Sequence, residues 1–194
     1  MMDWLKEIDQ NILLAINGAN SPALDVFMWW VSEKIVWFPL YLFLFILVYK
    51  KYSLKHAIWF TVFGFAAVGL CDFTTTHLFK YPIARYRPSH HLHLSELLHF
   101  YEYKPGHVYK GGMYGFISGH SSNSTLIALM FIQQLRSYYK YITPLLILWV
   151  LLVVYSRMYL GVHYPSDIIG GMIWGSALAF GIHWIYRKVI LQRK

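Results

Sequence analysis

Apolar residues run along this chain in five long stretches, each bounded by charged or turn-forming residues, with an amphipathic stretch ahead of them. In residues 3–18, Trp4, Leu5, Ile8, Ile12, Leu13 and Ile16 recur at helical spacing among acidic and amide groups. That pattern predicts an amphipathic helix lying on a membrane surface, ended by Asn17-Gly18. Ser21-Pro22 opens a second helical piece through Leu24, Phe27, Met28 and Val31, with Asp25, Glu33 and Lys34 near its ends. It is too short to span a bilayer, and the competing pattern is one long tilted span over residues 22–49. Residues 35–49 are uncharged, rich in Leu and Phe and bent near their start by Pro39, and form the first expected span. Residues 56–79 form the second, interrupted by Asp72 and His77. Residues 81–114 follow as a polar, aromatic, His-rich loop with Pro82, Pro88, Pro105 and the pair Gly111-Gly112. Residues 115–135, 141–156 and 168–186 complete the set. The expected fold class is all-α, a polytopic transmembrane helical bundle of about five spans, with six as the alternative. It forms a single domain over residues 1–194: interfacial amphipathic helices at 1–34, a transmembrane core at 35–186 and a basic cytoplasmic tail at 187–194.

Composition agrees with an integral membrane protein. Of 194 residues, 57% are hydrophobic and 13% charged, and 8 Trp, 16 Tyr and 13 Phe suit interfacial belts as well as core packing. The single cysteine, Cys71, lies in an apolar run, which excludes a disulfide framework and a CxxC metal or redox site. The start, Met1-Met2-Asp3-Trp4-Leu5-Lys6-Glu7, lacks a basic region followed by an apolar stretch, so no cleavable signal peptide is expected. A formal charge of +8 would suit nucleic acid, but its placement argues against that partner. The turn at 50–55, the turn at 136–140 and the tail hold nine positive charges and no acid, which assigns them to the cytoplasmic side. The 81–114 loop and the 156–167 turn then share the outer face, together with the N-terminal helices if five spans is right. An even count would place the N-terminus inside.

Charged residues gather on that outer face. The turn at 156–167 joins two apolar stretches and carries Arg157, His163 and Asp167, three residue types that are costly near a bilayer. Pro165 suits the first position of a helix. His163 and Asp167 are four apart, so in a helical turn the carboxylate reaches the imidazole and strengthens it as a base or nucleophile. The plain alternative is a charged turn that marks the membrane surface. Two further stretches meet this turn: residues 80–88, with Lys80, Arg85 and Arg87-Pro88, and residues 117–124, with Ser118-Gly119-His120. Cations collected at an interface with one carboxylate call for an anion, and the arginine fork suits phosphate. A helix opening at Ser118-Gly119-His120 adds free backbone N–H groups and the positive end of its dipole.

Lys80-x6-Arg87-Pro88, Ser118-Gly119-His120 and Ser156-Arg157-x5-His163-x3-Asp167 resemble, in order and spacing, the three motifs of the type 2 phosphatidic acid phosphatase (PAP2) superfamily. The resemblance covers residues 55–186. It departs where Ile117 stands in place of a proline that usually begins the second motif, and in lacking the first span of six-span members. The resemblance implies a phosphatase that uses no metal and no cofactor and works through a phosphohistidine. His163 is then the nucleophile, Asp167 its orienting carboxylate, and His120 the acid on the leaving oxygen. Lys80, Arg87, Ser118, Gly119 and Arg157 are the phosphate-binding residues. Phosphoryl transfer is mostly positioning and charge stabilisation, which arginines and a lysine supply.

The implied substrate is a lipid phosphate or diphosphate, such as undecaprenyl diphosphate or phosphatidylglycerol phosphate, at the outer leaflet of a bacterial inner membrane. Lipid A phosphatase or lipid phosphotransferase activity is the alternative within the family. A transporter or channel is the alternative of another class, opposed by a nearly bare midplane and the lack of an inverted repeat.

Several residues stay open. His90, His91, His93, His99 and His107 read as a solvated loop rather than a metal site. Asp72 reads as a packing or supporting acid rather than a catalytic one, too far from Lys80 at two helical turns unless a water or Thr76 intervenes. Arg85 reads as solvated, with a second phosphate or a headgroup as its other partner. Gly111-Gly112 and Gly115 read as turn formers, with an additional phosphate nest as the minor reading. Trp29-Trp30, Tyr101, Tyr103, Tyr109 and Tyr114 read as interface anchors.

Overall fold

The computed structural model describes residues 3–191 of the chain. Arg193 and Lys194 of the expected basic tail, and Met1-Met2, lie outside those residues. The amphipathic start forms α1 (Asp3–Gly18), followed by α2 (Pro22–Ser32), a tight turn at Lys34–Trp37, and α3 (Phe38–Lys51). α4 (Leu54–Thr74) continues through a π-helical stretch, Thr75–Lys80, into a single turn, α5 (Tyr81–Ile83). After a long segment with a small hairpin, β1 (Glu102–Lys104) and β2 (His107–Val108), come α6 (Gly119–Leu135), α7 (Ile142–Tyr159) and α8 (Pro165–Tyr186).

Short polar residues set the helix starts, as side-chain oxygens satisfy first-turn N–H groups. Ser21 accepts from the Leu24 amide, Ser53 from His56 and Ser118 from Ser121. Pro22 and Pro165 occupy first-turn positions of α2 and α8, where a missing N–H costs nothing.

Among the described residues, Leu54–Ile83, Ile142–Tyr159 and Pro165–Val189 are each long and apolar enough to cross a membrane. Pro22–Ser32 and Lys34–Lys51 pass together as a fourth, bent by 70°. α6, at 17 residues, is the shortest of the central helices and lies against α4, α7 and α8. Its start at Gly119 shortens the expected third span. It is also polar: Ser121, Ser122, Asn123, Ser124, Thr125 and Gln134 are all buried. Such a helix is tolerated because it sits inside the bundle rather than against lipid.

The tightest packing joins α6 to α8. Gly171, Gly175 and Ala179 make a buried small-residue stripe at i, i+4 spacing. A Cβ on Gly171 would meet the Ser118 carbonyl at 2.6 Å, and one on Gly175 the Ser122 carbonyl at 2.2 Å. Only backbone fits there, as in close-packed membrane helices generally. Ile117 is buried with its methyl against Gly170, so the residue that departs from the proline of the family motif is packed rather than loose.

The two basic turns share one end of the bundle, where Lys51 lies over the rings of Tyr138 and Tyr139. α1, the 84–118 segment and the 160–164 turn gather at the other end. There α1 differs from a helix that merely floats on a surface. Trp4, Leu5, Ile8 and Ile12 are exposed, while Asp9, Leu13 and Asn17 point into the protein. Leu13 packs with Leu94, Leu98 and Tyr164, and the Asn17 amide donates to the carbonyls of His99 and Tyr159. The 84–118 segment is docked in part: Leu94 and Leu98 are buried and His99 pairs with Asp25 at 2.9 Å, while His93 and residues 102–108 are exposed as a solvated loop would be.

Candidate active site

α8 begins where the chain turns after α7, and its first turn carries Asp167. The carboxylate folds back to accept the Tyr164 amide at 3.0 Å, which caps the helix. The same oxygen faces His163 Nδ1 at 3.3 Å, and both residues are buried. Nδ1–H donates to Asp167, so the lone pair of Nε2 is left for chemistry. His163 lies in the turn between α7 and α8. Burial holds its imidazole well below the usual histidine range, and Arg87, Arg157, His120 and Lys80 push the same way. The ring is therefore neutral at neutral pH.

Backbone bonds bring the second stretch to this turn. The Ser118 amide donates to the Asp167 carbonyl at 3.0 Å, and Ser121 Oγ to the Ile168 carbonyl at 2.7 Å. Ser118 is fully buried at the start of α6, and His120 follows one residue after Gly119. His120 bonds the backbone of Ser32 at the end of α2 and lies within electrostatic reach of Arg157, Lys34 and Arg87.

The first stretch is held against the approach to α6. Arg87 N donates to the Met113 carbonyl, the Gly115 amide to the Arg85 carbonyl, and Arg87 Nε to the Tyr114 carbonyl. Gly111, at φ +67°, lets the guanidinium pass: a Cβ there would lie 2.6 Å from Arg87 Nη1. A Cβ on Gly115 would lie 2.8 Å from Asp167 Oδ2, so this residue admits a carboxylate rather than only turning the loop. Burial and the neighbouring Arg157 bring Arg87 down to about 10, still charged at neutral pH.

Arg157 is buried at the end of α7, donating through Nη1 to Ser32 Oγ and through Nη2 to Tyr109 OH at 2.8 Å. Tyr109 thus belongs to the site, as well as to an aromatic cluster around Trp29 with Tyr101 and Tyr103. Arg87 Nη1 and Arg157 Nε are buried without a hydrogen-bond partner among the described residues. Unpartnered buried guanidinium nitrogens are costly unless an anion completes them.

Lys80 reaches the same place by a route the spacing hid. The π-helical stretch changes its register relative to Asp72, and both side chains converge on Gly119. Lys80 Nζ and Asp72 Oδ1 come within 3.6 and 3.9 Å of the point where a Cβ on Gly119 would sit. Asp72 also accepts from Asn123 Nδ2 at 2.7 Å, an anchoring role consistent with a supporting acid. Every residue of the expected site is therefore brought together.

Arg85 departs from expectation. It is not solvated but bridges two acids, Asp167 Oδ1 at 3.0 Å and Asp9 Oδ2 at 2.8 Å, beneath which lies the Tyr164 ring. The end of the bundle that holds the site accordingly carries more than one carboxylate. Asp9, Ser32 and Lys34 escape sequence reasoning because they lie far from the motifs. For Asp9, the polar stripe of α1, with Asn17 two turns on, is the one signal that could have found it.

A cavity of about 340 Å³ opens beside His120. Ser32, Lys34, His120 and Asn123 line it, and it runs on between α3, α4, α6 and α7 among aromatic and aliphatic side chains, Tyr41 and Trp149 among them.

The PAP2 superfamily model matches residues 57–191. A lipid A 4'-phosphatase of Porphyromonas gingivalis is 37% identical over 99% of this chain and 77% of its own length. An undecaprenyl-diphosphatase of Sulfolobus acidocaldarius is 29% identical, over 92% of this chain and 75% of its own. Among solved structures, the transmembrane PAP2-type phosphatidylglycerolphosphate phosphatase of Bacillus subtilis superposes with a TM-score of 0.69 at 21% identity, covering 97% of this chain and 89% of that one. With its three motifs assembled on a matching helical frame, this multi-pass membrane chain belongs to the PAP2 superfamily.

Proposed function

We propose that the chain is a lipid phosphatase that removes a terminal phosphate at the periplasmic face of a bacterial inner membrane through a phosphohistidine on His163. The observation that carries the reading is the buried His163–Asp167 pair, ringed by guanidinium nitrogens of Arg87 and Arg157 that lack partners among the described residues. Arg87, Arg157, Lys80 and the N–H groups that open α6 after Ser118 and Gly119 hold the phosphoryl oxygens. His163 Nε2 attacks phosphorus while Asp167 takes the Nδ1 proton's hydrogen bond and stabilises the charge that develops on the ring. The P–O bond to the lipid breaks, and His120 gives its proton to the leaving oxygen. His120 then takes a proton from water as that water attacks the phosphohistidine, releasing inorganic phosphate and restoring both rings. Cations fixed in a dry site stabilise the transferring group, the role that Mg²⁺ fills in other phosphotransfer enzymes.

The apolar cavity that begins at His120 supports a substrate with hydrocarbon chains, since it leads from the reacting centre into the membrane-embedded bundle. Two lipid classes compete. A phosphorylated lipid A-type glycolipid is favoured by the 37% relative, and an isoprenoid diphosphate is the second reading, from the 29% relative. They differ in leaving group: a sugar hydroxyl must be protonated as it leaves, whereas a phosphate leaves readily.

Phosphate release from purified lipid A, undecaprenyl diphosphate and phosphatidylglycerol phosphate, in detergent with excess EDTA, is the test. Turnover of lipid A above the others, unaffected by EDTA, is expected. Activity that only Mg²⁺ or Zn²⁺ restores would overturn the mechanism, and phosphate appearing on an acceptor lipid instead of in solution would make the enzyme a transferase.

A further inference from the structure

Arg85 has two carboxylate partners from opposite ends of the chain. Its Nη1 donates to Asp167 Oδ1 at 3.0 Å and to Ser166 Oγ at 2.6 Å, its Nη2 to Asp9 Oδ2 at 2.8 Å, and its guanidinium lies 4.1 Å from the centre of the Tyr164 ring. Asp9 also accepts from the Ser166 amide at 2.9 Å and pairs with Ser166 Oγ, so a residue of α1 completes the first turn of α8. The carboxylates of Asp9 and Asp167 are 7% and 0% exposed, so water does little to screen this row of charges.

The structure assigns Asp9 as a positioning residue for the phosphoryl transfer: through Arg85 it orients Asp167 against His163 and offsets the charge that Arg85 would otherwise impose on that pair. The assignment rests on the reading of His163 as nucleophile.

Asp167 divides its two oxygens. Oδ2 serves His163 and the Tyr164 amide, and Oδ1 serves Arg85. With Asp9 ionised, the row Asp9, Arg85, Asp167 carries one net negative charge toward the imidazole. Without it, Arg85 neutralises Asp167 and the ring loses that support. The other charges facing His163 come from Arg87 before α6, Arg157 on α7, Lys80 on the π-helical stretch and His120 on α6. All are cationic or neutral, and Asp9 touches none of them. Facing Asp167 are Arg85, Asp9 and Arg87, with the Tyr164 amide. Asp9 is thus the acid beyond Asp167 that acts on the pair from α1.

The test is the pH dependence of kcat/KM for p-nitrophenyl phosphate with the purified full chain. Asp9→Asn should lose about 10- to 100-fold in kcat/KM, less than the roughly 10⁴-fold of removing a triad carboxylate's charge directly. Its acidic limb should move to lower pH, because the less supported imidazole holds its proton less well. Asp9→Glu should restore the limb. Ser166→Ala removes the hydroxyl's bonds to Arg85 and Asp9 and leaves every charge in the row, so its limb should stay with the wild type, whatever its stability. An unmoved limb in Asp9→Asn, or equal shifts in Asp9→Asn and Ser166→Ala, overturns the assignment and leaves Asp9 as a latch for α1. Should Asp9→Asn not fold, Asp9→Glu and Ser166→Ala decide: a shifted limb in both, with equal loss of rate, is the latch result. Retained turnover in His163→Ala would instead overturn the nucleophile itself.

Discussion

His163 and His120 stand a few residues from the same phosphate site but in different company, and they should fail differently. His163 has Asp167 at 3.3 Å, whereas His120 meets a backbone group and cations. His163→Ala should abolish the phosphohistidine and nearly all turnover. His120→Ala should still allow phosphorylation from p-nitrophenyl phosphate, whose leaving group needs little help, while losing roughly 10² to 10⁴ in rate on a sugar phosphate. Acid quench and analysis of the trapped label decide it: phosphate on His120 with none on His163 reverses the roles. The burial of His163 also ties stability to pH. Its folded-state pKa lies below the unfolded value near 6.5, so as pH falls the unfolded chain takes the proton first. That contribution is complete above about pH 6.5 and is lost below it. The thermal midpoint in detergent should therefore fall between about pH 7 and pH 5, and His163→Gln should flatten that fall.

At the level of helices, the site depends on how closely α6 and α8 approach, because α6 carries Ser118-Gly119-His120 and α8 carries Asp167. The Gly171-Gly175-Ala179 stripe allows that approach, with Ser118 and Ser122 carbonyls where side chains would be. Gly175→Ala puts a methyl 2.2 Å from backbone that cannot rotate away. It should cost about 1–3 kcal/mol in stability and lower kcat as the helices part. Gly181→Ala, with nothing within 4 Å of the new Cβ, should leave both unchanged. Equal effects of the two substitutions would refute the packing argument, and thermal melts with matched rate assays measure it.

For the whole molecule, sidedness joins the fold to the proposed lipid chemistry. The end of the bundle that carries the site also carries α1, and the other end carries the basic turns. The proposed orientation holds those turns in the cytoplasm, which would turn the N-terminal helices and the site to the periplasm. A cysteine at Asn20, which is exposed between α1 and α2, should react with an impermeant thiol reagent in spheroplasts without permeabilisation. Labelling only after permeabilisation would invert the topology.

The sequence by itself determined what is local. The order of the helices, their ends to within a few residues and the basic turns follow from apolar runs, capping residues and charge placement, and the resemblance to the PAP2 motifs names the eight candidate site residues. What it left open depends on how helices are rotated and offset against one another. Arg85 and Asp9 are separated by 76 residues and Ser166 and Asp9 by 157, and no local pattern specifies such a pair. A span that is apolar all round does not announce which face meets protein, because lipid is as apolar as the neighbouring helix. Hence the glycine stripe, the 70° bend before Lys34 and the Ser32–Arg157 bond emerged only in three dimensions. Asp72 and Lys80 look remote on an ideal helix, and the π-helical stretch between them overrides that geometry. The motifs name the groups that meet the phosphate, but tertiary packing decides which buried charges support them, since charges taken out of water must find partners wherever the fold brings them.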